Sequence, residues 1–370
     1  AADDSGDDGA TEHGDIDNEA DATDEDAEAA PRRDPRALQV AERHIKDCED
    51  LLALSRGQLP ETSLEIHYRS QYRELIAFSN AAYYGGRLNV PISRSPTEVL
   101  AAKPIEVRRI DGLYKNQSNP EEADAIVDFL ADLWARVENP PTVGVVTFNM
   151  KQAELISGRL DAKGDQDRAF GKALIRERTR KAQGEDVGFF VKNLENVQGD
   201  ERDWIVFSTT FGRDEEGVFR RSFGALNEQG GERRLNVAVT RAKQKVVIVT
   251  SMPTAEISDA LGSGRPPVRA RDYLQIYMQY AELVSAGDLE GAMKLLELFG
   301  PADPRAALPQ QDAPDELIQQ ALAALHAEGF DATVLTREDA FSVDVAVSDH
   351  GAARCVLGVE IDSPRPNLLA

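Results

Sequence analysis

Long apolar runs are missing from this 370-residue chain. None approaches the roughly 18 residues that a membrane-spanning helix needs, so no membrane partner is expected. The N-terminus is acidic where a secretory signal would be basic, and a cytoplasmic location is expected. Cysteine is scarce: Cys48 and Cys355 lie far apart and match no metal or disulfide framework. Both are expected to be reduced thiols. A basic excess is lacking too, the net charge being −23. Phosphate binding is driven by Lys and Arg releasing counterions. Bulk charge therefore argues against general nucleic-acid affinity but leaves room for a local basic groove. The chain begins with Ala, not Met, and is expected to be a fragment.

Much of the acidity lies in residues 1–36, which hold 14 Asp or Glu against 3 Arg and have no aromatic residue. Such a segment cannot bury enough apolar surface to offset its ordering entropy and is expected to be disordered. Helical spacing begins in 37–54, with Leu38, Val40, Ala41, Ile45, Leu51 and Leu52. Residues 64–88 start extended and read as a helix from about Gln71 to Tyr84, stopped by Gly85-Gly86. Its buried face would hold Leu75, Ile76, Ser79 and Tyr83. Residues 90–119 read as strands and loops. A helix with Pro120 near its start is expected over 120–138, with the stripe Ile126, Val127, Leu130 and Leu133.

Further along, buried strands are expected at 142–148, near 187–191, at 204–211 and at 246–251, with helices at 151–161, 167–182 and 234–244. Strands nearly continuous in Val, Ile and Phe, alternating with helices, predict an α/β fold with a parallel sheet covered on both faces. The expected domains are an acidic segment (1–36), an α/β domain (37–255, its sheet from about residue 60), a helical connector and linker (256–314), and a partial α/β module (315–370). The last reads as a helix, a strand and a hairpin-like strand pair.

Three ordered segments carry chemistry: HYRS at His67–Ser70, ENVQGDERD at Glu195–Asp203 entering a strand, and LNVAVTRAKQKVVIVTS at Leu235–Ser251, a helix running into a strand. Together with TVGVVTFNMKQAELI between the first two, they resemble superfamily 1 helicases, most closely the branch of the nonsense-mediated-decay helicases. The likeness spans about 64–251 and implies the second RecA-like domain of a P-loop NTPase motor. It makes Arg241 the arginine finger on the ATP γ-phosphate and Arg69 a second γ-phosphate contact. Tyr68 would pack on adenine, Glu201 grip the ribose, and Gln198 couple the nucleotide to the nucleic-acid track. Thr240 belongs to the same nucleotide-binding set, and Gly199 lets backbone approach closely. The residue types suit the task, since a guanidinium offers phosphate a rigid bidentate fork. His67 reads as structural.

A motor of this kind also needs a P-loop, GxxxxGK[ST], and an acidic pair for Mg2+, and neither occurs in this sequence. The resemblance thus implies a chain that supplies half an ATP site. It would need a first RecA-like domain, in cis or in trans, to use ATP and Mg2+ on single-stranded DNA or RNA. The alternative is a non-catalytic nucleic-acid-binding or regulatory module on the same scaffold. The 315–370 module resembles a truncated restriction-endonuclease-like fold, which implies Asp344, Glu360 and Asp362 as metal ligands. Asp362 stands where that pattern has Lys.

Overall fold

In a computed structural model, residues 55, 59, 66–92, 94–263, 265–300, 316–334, 345–348 and 355–359 are described. The chain divides into two compact units, 1–63 and 64–370. The expected acidic segment and the expected helix of 37–54 lie outside the described residues, apart from Ser55 and Leu59 next to the latter.

The second unit begins with α1 (Glu74–Tyr84), which ends at Gly85 in the left-handed region, φ 60°, as the Gly-Gly pair predicts. Leu75, Ile76 and Ser79 are buried as expected, while Tyr83 is half-buried. α2 (Pro96–Ala102) follows. It corrects the reading of 90–119 as strands and loops. Its signal is local: Ser95 caps the N-terminus, Pro96 opens it, and Glu98 closes a capping box. Then come β1 (Ile105–Arg109), α3 (Pro120–Arg136), β2 (Val143–Thr147), α4 (Met150–Gln166) and α5 (Arg168–Arg178). A small hairpin, β3 (Lys181–Ala182) with β4 (Glu185–Asp186), leads to β5 (Phe190–Asn193) and β6 (Arg202–Ser208). α6 (Gly231–Val239) runs into β7 (Ala242–Thr250). The sequence spacing puts this helix at 234–244; in fact it stops at Val239, because the chain from Ala242 on is already paired with β6.

β1, β7, β6, β2 and β5, in that order, form one parallel sheet. This is the α/β arrangement of a RecA-like P-loop NTPase domain. Strand alternation sorts the core into two layers. Val145, Val206, Val247 and Val249 face Ile126, Leu130, Ile156, Leu160 and Phe170 of α3, α4 and α5. Val146, Ile205, Phe207 and Ile248 pack with residues of α1 and α6 and of a later helix, Ala270–Ala286. Each fully buried aliphatic side chain contributes about 1.5–3 kcal/mol, so central strands apolar on both faces hold the sheet.

After β7, α7 (Ala260–Ser263), α8 (Ala270–Ala286) and α9 (Leu289–Leu296) make the segment helical, as expected. α8 is no loose connector. Leu274, Tyr277, Met278, Tyr280 and Ala281 are buried in the second core layer. The Tyr280 hydroxyl donates to the Glu74 carbonyl at 2.8 Å, tying α8 to α1.

The C-terminal segment has α10 (Glu316–Ala327) and three antiparallel strands, β8 (Asp331–Val334), β9 (Val345–Ser348) and β10 (Cys355–Val359), in the order β10-β9-β8. Ile318, Ala332, Val345 and Val347 form its core. Asp344, Glu360 and Asp362 lie outside the described residues.

Candidate functional site

Because β6 and β7 are parallel neighbours with Arg202 opposite Ala242, the segments that precede them meet at one edge of the sheet. The first is the turn Gln198–Glu201; the second is the α6–β7 junction, Thr240–Arg241. The Arg202 amide donates to the Arg241 carbonyl at 3.3 Å. The HYRS segment joins this edge through the Gln71 amide, which donates to the Lys243 carbonyl at 2.7 Å. Three segments up to about 170 residues apart in sequence thereby converge.

Charge gathers where they meet. The Glu201 carboxylate accepts from Arg69 Nε at 2.5 Å and pairs with Lys243 Nζ at 2.8 Å. These two bonds, with the Lys243 contact the larger, hold Glu201 below the usual carboxylate range. Arg241 is half-buried. Its Nε donates to the Val237 carbonyl at 2.6 Å and Nη2 to Thr240 Oγ1 at 3.1 Å. Val237 lies in the last turn of α6, where helix carbonyls lack intrahelical partners and attract cations. Burial, then the nearby Arg69, lowers the Arg241 guanidinium from its ordinary value. Glu201 thus holds Arg69 and Lys243 directly, whereas the Arg241 guanidinium bonds only to the end of its own helix and feels the Glu201 and Asp200 carboxylates at longer range.

The remaining predicted residues sit close by. Gly199 has φ +89°, and a Cβ there would meet no atom within 4 Å; the turn uses its left-handed conformation while leaving space beside the backbone. Gln198 is exposed, and the Tyr68 side chain is 81% exposed. The Thr240 hydroxyl is engaged with its own helix, donating towards the Asn236 and Val237 carbonyls at 2.9 and 3.1 Å. His67 is buried against Ser70, Nε2 to Oγ at 2.7 Å. Burial first, and Arg69 second, push its imidazole down to about 4, so it stays neutral, in keeping with a structural role.

At the other ends of the same strands lies a second polar cluster, around Glu122. Its carboxylate is fully buried and accepts from Ser208 Oγ at 2.7 Å, the Thr210 amide at 2.8 Å and the Ser251 amide at 2.7 Å. Thr210 holds φ +68° there, an uncommon conformation for a β-branched residue. Asn119, which caps α3, reaches Ser251 Oγ at 3.0 Å. Burial raises the Glu122 carboxyl to about 7 against these donors.

A profile of the family described as an AAA domain matches residues 48–253, more than half of the chain. The chain belongs to this family. An uncharacterized ATP-dependent helicase of Mycoplasma pneumoniae is 39% identical over 208 residues, covering 55% of this chain and 17% of that protein. A similar helicase of Mycoplasma genitalium is 40% identical over 187 residues, covering 50% of this chain and 16% of that one. The chain spans less than a fifth of the length of these curated relatives. The C-terminal domain of a possible DNA helicase from Lactobacillus plantarum is 17% identical, covering 52% of this chain and 96% of that one. Its TM-score of 0.28 is too low to bear on the fold.

Two residues of this AAA domain escape sequence reading, Lys243 in the candidate site and Glu122 in the cluster at the opposite strand ends. Lys243 has a signal: it lies two residues beyond Arg241 in a segment of strand character, and two-residue spacing returns a side chain to the same strand face. Glu122 has none, since an acid in the first turn of a helix is ordinarily a solvated partner of the helix dipole. Among the described residues, no group of three His, Cys, Asp or Glu side chains could hold a metal ion, and no helix is long and apolar enough to cross a membrane.

Proposed function

We propose that this AAA domain is the second RecA-like half of an ATP-dependent helicase, supplying cations to an ATP site completed by a first RecA-like domain. The observation that carries this reading is the convergence of Arg69 and Lys243 on Glu201 beside Arg241, whose guanidinium has no ion-pair partner among the described residues. A triphosphate would give Arg241 the anionic partner that it lacks there. Preorganised cations aimed at developing phosphoryl charge are the main protein contribution to phosphoryl transfer.

In this reading a phosphate competes with Glu201 for Arg69, and Arg241 exchanges the Val237 carbonyl for the γ-phosphate. Glu201, freed on one side and still held by Lys243, turns to the ribose. Tyr68, already facing outward, packs on the adenine. The space beside Gly199 admits the nucleotide to the backbone, and the exposed Gln198 couples the site to a DNA or RNA strand. Thr240 acts by steadying Arg241. The described residues offer no metal ligand set, so Mg2+ would be held by the phosphates and the partner domain, and no step here passes through it. The reading extends to the nonsense-mediated-decay branch of superfamily 1 helicases, which the three segments resemble. Asp344, Glu360 and Asp362 receive no role in this reading.

The test joins the chain to a first RecA-like domain from one of the related helicases and follows strand-stimulated ATP hydrolysis. Activity is expected, and Arg241→Ala is expected to lower it by about 10³-fold or more, the scale of an arginine finger. Nucleic-acid binding with no hydrolysis in the fusion would favour the non-catalytic module instead.

A further inference from the structure

α5 and the turn after it carry a charge unlike the rest of the chain. Residues 168–181 hold Arg168, Lys172, Arg176, Arg178, Arg180 and Lys181 against a single acid, Glu177, in a chain of net charge −23. Half of these cations are engaged. Arg176 and Arg180 both bond the buried Glu177 carboxylate, and Arg178 pairs with Asp161. Arg168, Lys172 and Lys181 are exposed and have no ion-pair partner among the described residues. The acid nearest the helix start, Asp167, has its carboxylate turned to the Ala169 and Phe170 amides as the N-cap.

The pattern has a direction. Arg168, Lys172 and Arg176 follow one another at four-residue spacing, about 6 Å apart along the helix axis, on a single stripe. Ile175 lies beside that stripe and is 64% exposed. The opposite face is fixed: Phe170 and Leu174 are buried in the first core layer, and Gly171 lies close enough to Gly164 that a Cβ would come within 2.6 Å of its carbonyl oxygen. The helix is therefore a rigid base. Its C-terminal end is tied to the ATP-site edge, since the Glu177 carbonyl accepts from the Phe189 amide at 2.7 Å. The adjoining Gly188 carbonyl takes the guanidinium of Arg202, the residue after Glu201.

We propose that the surface formed by Arg168, Lys172 and Ile175 of α5, with Lys181 of β3 next to it, binds the phosphate backbone of a nucleic-acid strand, outside the ATP edge. The proposal rests on the helicase reading above and adds to it a contact that none of the motor segments contains. Arg168 and Lys172 stand unpaired on one helix face, with Lys181 on the strand just beyond it; such a group of free cations is the electrostatic footprint of a polyanion, and a nucleic-acid strand matches it in charge. The exposed Ile175 gains by being covered by sugar or base.

The test uses the full chain and fluorescein-labelled oligothymidylate, with anisotropy followed across a salt series. A variant carrying Arg168→Gln, Lys172→Gln and Lys181→Gln changes only exposed side chains, and an unchanged thermal midpoint verifies its fold. Its affinity at low salt is expected to fall roughly tenfold or more. Its plot of log affinity against log salt is expected to be shallower by about 2, since each lost single-strand phosphate contact removes about 0.7. Equal affinity and slope in the variant would overturn the proposal, while the Arg241→Ala hydrolysis result would stand or fall by itself. Failure of the unaltered chain to bind at low salt would overturn it too. So would displacement of the strand by polyglutamate as readily as by unlabelled oligothymidylate, which would mark α5 as a surface for acidic protein.

Discussion

Glu122 is closed in by hydroxyl and amide donors from the end of β6 and from the segments that follow β6 and β7, none of them charged. The donors favour its ionised form and burial favours the neutral one; burial wins, with the carboxyl at about 7 when folded against 4.5 when not. The folded state thus holds an extra proton between these values, and stability falls as pH rises through that window. Each tenfold difference in proton affinity between the two states is worth about 1.4 kcal/mol, so the loss amounts to roughly 3 kcal/mol. Denaturant unfolding at pH 5 and pH 8 should show this difference removed in Glu122→Gln. His67 works the other way: its folded value of about 4 lies below the usual 6.5, so it costs stability as pH drops below 6.5. The comparison is therefore between variant and unaltered chain at each pH. An unaltered pH profile in Glu122→Gln would show that the donors, not burial, set the charge state.

Elements supply two further checks. α2 is a seven-residue helix whose only buried residue is Val99, so its capping box matters. Ser95 Oγ accepts from the Glu98 amide at 3.3 Å, and the Glu98 carboxylate accepts from the Ser95 amide at 2.9 Å. Ser95→Ala is expected to cost about 1 kcal/mol, read as a lower denaturant midpoint at constant slope. In α5, Gly171→Ala sets propensity against packing. Alanine favours a helix by about 1 kcal/mol over glycine, but its Cβ would meet the Gly164 carbonyl oxygen at 2.6 Å. Backbone cannot give way as a side-chain tip can. Net destabilisation of about 1–3 kcal/mol is expected, and a stabilised variant would mean that α4 and α5 are less closely packed. Both sites were open to sequence reading in different degree. The S-P-T-E pattern announces α2 within four residues, whereas the Gly164–Gly171 approach depends on how two helices fold against each other.

For the whole molecule, the governing fact is a cation-rich edge in a sequence without a P-loop. Purified 1–370 is expected to show no strand-stimulated ATP hydrolysis, since no backbone cradle or lysine holds the phosphates. Phosphate release at the level of a buffer blank, with and without oligonucleotide, checks this. Hydrolysis that copurifies with the chain and disappears in Arg241→Ala would overturn it.

The sequence alone was enough for the parallel α/β layout. A strand buried on both faces must be apolar throughout, and Val143–Thr147 and Val246–Val249 announce this without reference to a partner. It also offers Arg69, Glu201 and Arg241 as candidates, because their segments are local motifs. What only the tertiary structure decided is which of these residues touch. A parallel sheet sets side by side strands that lie far apart in the chain, so the Arg69–Glu201 pair, separated by 132 positions, has no local signature. The same holds for Lys243 as a partner of Glu201, and for Glu122. Its place on the helix looks solvated until α3 is laid against the ends of β6 and β7, where water is excluded and the carboxylate keeps only the donors that the fold brings to it.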